Sequence, residues 1–94
     1  MRYGHLIFRV HAIQRMFQRH INVDDVRGVL ETGETIEHYP DDMPYPIRLV
    51  LGWIVSQPVH VVAADNTESQ ETIVITVYET DPSQWETGFR KRKP

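Results

Sequence analysis

Cysteine is absent from the 94-residue chain. Its absence excludes a disulfide framework, a thiolate metal site and a cysteine nucleophile, and it fits a reducing cytoplasm. No stretch approaches the roughly 20 apolar residues of a membrane-spanning helix, and the first residues lack the apolar core of a signal peptide. The five glycines are isolated and form neither a phosphate-binding loop nor a dinucleotide fingerprint. We therefore expect a cytoplasmic protein with no membrane partner, folded as a single domain over residues 1–94.

Basic residues are fewer than acidic ones, and they are concentrated at the two ends of the chain. Ten lysines and arginines stand against 13 acids, and the net charge of -3 argues against a non-specific nucleic-acid coat. Residues 1–20 hold four arginines and no acid, whereas residues 21–45 hold seven acids and one arginine. The end of the chain is again basic, and we expect residues 89–94 to form a flexible basic tail.

Hydrophobic spacing predicts two short helices near the start of the chain. The first has an apolar face whose members recur every three or four positions: Ile13, Met16, Phe17 and Ile21. Asn22 is a candidate N-cap of the second helix, with Asp25 completing an imperfect capping box. Gly33 is a good signal for the end of that helix.

Strand patterns follow the helices. Alternating and β-branched residues predict strands over 34–39, 47–55, 59–64 and 71–79. Trp85 and Phe89 lie four residues apart and indicate a short C-terminal helix or turn. The order of elements predicts an α+β fold, with two N-terminal helices on one face of an antiparallel sheet of about four strands.

One candidate site lies on the sheet. In an even register, Trp53 faces the helices, whereas Ile54, His60 and Tyr78 share the opposite, uncovered face. An imidazole is suited to proton transfer near neutral pH, and a phenol can orient it or bind a substrate phosphate. The alternative is a half-buried structural pair of His60 and Tyr78 without chemistry.

A second candidate lies on the first helix, where His11, Arg15 and Arg19 follow each other at intervals of four. This spacing places all three on one face, where like charges repel slightly. Such a row indicates an anionic partner, or else pairing with the acidic second helix or with the carboxylates after Gly33. His11 could instead anchor the start of the helix.

Several familiar chemistries have no support in the sequence. No carboxylate pair can be assigned to acid–base work, and no two of the five histidines have the helical H-x-x-x-H spacing. The G-x-S-x-G motif of the hydrolases is absent as well. We expect neither a metal nor a cofactor.

Short motifs in a fixed order resemble a family of small bacterial proteins catalogued as domain of unknown function 4258. They are His11-Ala12, Arg15-Met16, Gly33-Glu34-x-Ile36, Leu51-Gly52, Pro58-x-His60-Val61-Val62, Ile75-Thr76-Val77-Tyr78-Glu79 and Asp81-Pro82. The resemblance spans roughly residues 8 to 90. The family is distantly similar to the RelE/ParE toxins of bacterial toxin–antitoxin systems, including the BrnT-like branch.

That similarity implies a fold and a function. The fold would be two helices on a curved antiparallel sheet. RelE-like members cleave mRNA, commonly on the ribosome and without a metal, whereas ParE-like members poison gyrase; an antitoxin protein usually silences both. The expected role is therefore a toxin-like component, with a metal-independent mRNA endoribonuclease as its activity.

Metal-independent RNA cleavage needs a proton-transfer group, a donor and cations. The candidates are His60 for proton transfer, Tyr78 as donor or orienter, and Arg15, Arg19 or Arg48 as the cationic clamp. The alternative hypothesis is a non-catalytic protein-binding module or degenerate toxin relative, which acts through a partner or as a homodimer.

Overall fold

The computed structural model describes residues 5–93. A short strand, β1 (His5–Phe8), precedes two helices, α1 (Val10–Gln18) and α2 (Val23–Thr32). Four more strands follow in chain order: β2 (Glu34–Tyr39), β3 (Ile47–Ile54), β4 (Gln57–Asn66) and β5 (Glu71–Glu79). No helix among the described residues is long and apolar enough to cross a membrane.

The start of α2 is fixed by reciprocal side-chain bonds. The Asn22 side chain accepts a hydrogen bond from the Asp25 backbone N–H at 2.7 Å, and the Asp25 carboxylate accepts one from the Asn22 N–H at 3.1 Å. Two backbone donors that the helix leaves without partners are thereby satisfied. The capping box expected from the sequence is formed in full.

All five strands belong to one mixed sheet in the order β1-β5-β4-β3-β2. The pairs from β2 to β5 are antiparallel, but β1 runs parallel to β5, with His5 opposite Glu71 and Phe8 opposite Val74. The predicted antiparallel sheet of about four strands is therefore wrong. A parallel neighbour has no hairpin turn to signal it, so the short run 5–8 could not be assigned to the sheet from the sequence.

The main core lies between the helices and one face of this strand-rich molecule. α1 contacts β5, and α2 contacts β3 and β4. Apolar side chains of both helices and of the three central strands share one cluster, which includes Ala12, Met16, Val26, Val29, Val50, Val61, Val74 and Val77. This burial supplies the main hydrophobic stabilisation of the fold.

Strand β3 faces the opposite way from the prediction. Gly52 lies against α2, because a Cβ atom there would be 2.7 Å from Val29 Cγ1, and Ile54 packs against the core cluster. Side chains alternate along a strand, so Trp53 lies on the face away from the helices. β3 is apolar on both faces, and its pattern alone did not show which face the helices cover.

The register of β5 also differs from the even one predicted. Val62 lies opposite Thr76 but Ala63 lies opposite Val74, so Ile75 is an extra residue in a bulge. The bulge keeps both Val74 and Val77 on the buried face. Ile75 is not a member of the core cluster.

The second sheet face is covered by the C-terminal segment, which we define as residues 80–93. It forms turns and one bridge between Trp85 and Arg92, without a helix. Trp85 is buried, and Phe89 contacts Trp53 edge to face with 6.2 Å between the ring centroids. The part of this face around His60, which was expected to be uncovered, is therefore closed. Residue 94 lies outside the described residues, and flexibility of residues 89–94 stays a prediction.

Candidate functional site

His60 and Tyr78 lie side by side on the face away from the helices. They are directly opposite each other on β4 and β5, and 3.1 Å separates His60 Nδ1 from the Tyr78 hydroxyl. The His60 side chain is 0% exposed. The structure thus brings together the two residues proposed for catalysis, but inside the protein.

The other ring nitrogen of His60 fixes its tautomer. His60 Nε2 lies 2.9 Å from the Phe89 carbonyl oxygen, which can only accept a hydrogen bond. Nε2 therefore carries the proton and donates it, and we assign Nδ1 as the acceptor of the Tyr78 O–H. Both nitrogens of the neutral imidazole are satisfied, so the ring links β5 to the C-terminal segment.

Two aromatic rings pack against the imidazole. The Trp85 ring meets it edge to face at 4.3 Å between centroids, and the Tyr78 ring does so at 5.2 Å. The Arg92 guanidinium lies 4.8 Å from the Trp85 ring centroid, a cation–π contact on that ring. The cluster of His60, Tyr78, Trp85 and Arg92 closes over the sheet face.

Burial changes the pKa of both polar members of the pair. Desolvation lowers the pKa of His60 below 6.5, against a smaller raising effect of the hydrogen bond with Phe89. Burial likewise raises the pKa of Tyr78 above 10.0. His60 is therefore neutral at neutral pH, a protonation state that suits a base, although no substrate reaches it while the C-terminal segment is in place.

The row of cations on α1 lies at the surface. His11, Arg15 and Arg19 are all exposed. Arg19 forms an ion pair with Glu79 of β5, at 3.5 Å between Nη1 and Oε1. This partner lies on neither α2 nor β2. The row is on the side of the molecule that carries the helices, whereas His60 lies on the other.

The apolar face predicted for the first helix is buried only in part. Met16 and Ile21 are buried, but Ile13 and Phe17 are 52% and 84% exposed. Val10, one turn before Ile13, is 70% exposed. The periodicity that identified the helix could not separate its buried side from this outer stripe, because both are apolar.

Arg48 is part of a different cluster. Its Nε donates to Asp65 at 2.7 Å, and the Thr72 hydroxyl donates to the same carboxylate at 2.9 Å. Arg48 lies opposite Ala63, a member of the helix-side core, so it is on the face away from His60. The structure does not bring Arg48 to the imidazole.

The described part of the chain offers no set of side chains that could bind a metal ion. Residues 5–93 contain no group of three histidine, aspartate or glutamate side chains placed to hold a metal ion.

A family model for Domain of unknown function (DUF4258) matches residues 8–79. The chain belongs to this family. No curated protein and no solved structure matches the chain. The DUF4258 match includes α1, His60 and Tyr78 but ends before Trp85 and Phe89. The polar pair therefore lies inside the matched region, whereas the segment that covers it lies outside.

Proposed function

We propose that this DUF4258 protein is a non-catalytic, protein-binding relative of the RelE/ParE toxins, and that α1 binds an acidic amphipathic segment of its antitoxin. The observation that carries the proposal is the exposed apolar stripe of α1, which consists of Val10, Ile13 and Phe17. At 3.6 residues per turn these three side chains fall within an arc of about 60°. Burying one large apolar side chain contributes about 1.5–3 kcal/mol, so a partner gains affinity by covering the stripe.

Charge indicates the chemistry of that partner. His11, Arg15 and Arg19 occupy a second arc of about 80° on α1, separated from the apolar stripe by two glutamines. A helix or extended segment that lies across α1 contacts the apolar stripe on one side and the row of cations beside it. Acidic residues beside an apolar row on the partner match this arrangement and exclude basic competitors.

The closed state of the His60 pair favours binding over catalysis. A general base must come within hydrogen-bond reach of the proton that it removes. Both nitrogens of His60 are instead engaged, by Tyr78 and by the Phe89 carbonyl. The distant similarity of the DUF4258 family to the toxins, together with a surface suited to a partner, supports a toxin-like role without cleavage.

The proposal expects a small antitoxin-like gene that overlaps this one. Its product is purified and titrated calorimetrically into wild type and variants. Phe17→Ser should weaken binding at least tenfold, and Arg15→Gln should reduce its salt dependence. Val55→Ser is the matched control, because Val55 is fully apolar and exposed but lies on the β3–β4 turn. Unchanged affinity of Phe17→Ser, or a partner that is a second copy of this chain, contradicts the proposal.

A second candidate is a metal-independent mRNA endoribonuclease, favoured by the 3.1 Å contact of His60 with Tyr78. This activity requires the C-terminal segment to leave the pair, for example on the ribosome. Induced expression of wild type, His60→Gln and Arg15→Ala, scored by growth and RNA integrity, tests it. Wild type that leaves RNA intact in cells without an antitoxin rejects the ribonuclease, while the binding role is judged by the calorimetry.

A further inference from the structure

A cavity of about 230 Å³ opens at the edge of the sheet, away from α1. Its wall includes Glu34 of β2, Trp53 of β3 and Arg90 of the C-terminal segment. Sites for drug-sized ligands are typically about 300–1,000 Å³. The volume is therefore suited to a single planar ring system, with the rest of the ligand outside.

Trp53 offers such a ring a stacking surface. It is 56% exposed, which is unusual for the largest apolar side chain, and its orientation is fixed by the edge-to-face contact with Phe89 at an interplanar angle of 80°. Nucleobases stack on aromatic side chains of this kind whatever their hydrogen-bonding pattern. A ring exposed in this way can stack on a base but cannot by itself choose among bases.

Glu34 and Arg90 supply the hydrogen-bonding edge. Arg90 Nε donates to Glu34 Oε1 at 2.8 Å, and both side chains are more than half exposed. Glu34 lies opposite Leu51, so Trp53 is its diagonal neighbour on the same sheet face, about 7–8 Å away. A carboxylate and a guanidinium thus lie side by side next to the stacking ring.

We propose that this cavity binds a guanine base that carries a phosphate. The Watson–Crick edge of guanine presents two adjacent N–H donors, which a carboxylate accepts together, and its O6 acceptor receives a guanidinium N–H. Adenine offers only one donor group on that edge. Outside the cavity, the basic run that follows Arg90, with Lys91 and Lys93, supplies cations for the phosphate.

The site is independent of the protein-binding role of α1, and its test separates the two. GMP, AMP and single-stranded oligoribonucleotides with or without guanine are titrated into the full chain. Binding is measured by calorimetry and from the shift of the indole N–H resonance of Trp53. GMP should bind more tightly than AMP. Trp53→Ala should weaken GMP binding roughly 5- to 150-fold, the range found for removing a base-stacking side chain.

One further variant and one control complete the test. Glu34→Gln should abolish the preference for GMP over AMP while stacking persists. Met43→Ala, at an exposed apolar residue that does not line the cavity, should leave GMP binding unchanged. Tighter binding of the guanine oligonucleotide than of GMP, with a salt-dependent difference, identifies a strand as the source; equal affinity identifies the free nucleotide. Equal affinity for GMP and AMP, no binding of either, or full affinity in Trp53→Ala overturns the proposal.

Discussion

Acidification should destabilise this protein well before its carboxylates titrate, because His60 is buried as the neutral imidazole. Protonation of Nδ1 turns an acceptor into a donor, so it removes the hydrogen bond that we assign from Tyr78. It also places a charge among Tyr78 and Trp85 and near Arg92. In the unfolded chain the imidazole is solvated and has neither of these unfavourable interactions, so it takes up the proton at a higher pH than in the folded protein.

The direction of this change in stability follows from the lowered pKa of His60. The unfolded state binds more protons than the folded state once the pH falls below 6.5, so stability is complete above that value and declines below it. Proton uptake by the unfolded chain limits the loss between pH 7.5 and 5.5 to at most about 1.4 kcal/mol. Asp81, whose pKa is lowered by the N–H and hydroxyl of Ser83, loses its contribution only below 3.8 and does not affect this window.

Urea unfolding at half-unit steps of pH, followed by circular dichroism, measures the effect. With a denaturant slope of about 1–1.5 kcal/mol/M, the urea midpoint should fall over this pH window by at most about 1 M. His60→Gln is the control, since its amide N–H can still donate to the Phe89 carbonyl but does not titrate. Subtracting the pH profile of His60→Gln from that of wild type removes the contribution of every other titrating group. Parallel profiles of wild type and His60→Gln refute the reasoning.

Three further variants test the packing and capping of α2 by thermal unfolding. Asn22→Ala removes one half of the capping box with Asp25 and should cost about 1 kcal/mol. Gly28→Ala should stabilise by up to about 1 kcal/mol, because a Cβ there meets nothing within 4 Å and alanine is the better helix former. Gly52→Ala should destabilise by about 1–3 kcal/mol, because its Cβ would lie 2.7 Å from Val29 Cγ1; an unchanged melting temperature would contradict that contact.

The helices were predictable because their signals are local. A 3.6-residue period and the Asn22 cap identify α1 and α2 without any knowledge of the rest of the fold. The sheet was only partly predictable. The pairing of β1 with β5 joins distant segments, and the bulge at Ile75 interrupts an alternation that had been assumed to be even.

The candidate site shows the same division between local and distant information. Hairpin pairing predicted that His60 and Tyr78 lie next to each other. It did not predict that the pair is buried, because Trp85 and Phe89 contact His60 from a segment without regular structure. Trp53 and Arg90 were both visible in the sequence. Their shared cavity depends on which way β3 faces, and a strand that is apolar on both faces does not reveal this.

The parallel pairing of β1 with β5 has a consequence for the order in which the molecule can assemble. The partners of His5–Phe8 are residues of β5, so β1 cannot pair until residues 71–74 have left the ribosome. Contacts of such large sequence separation slow folding. A nascent chain that stops before residue 71 leaves Leu6 and Phe8 without the strand that completes their sheet, and it should depend on chaperones until synthesis passes that point.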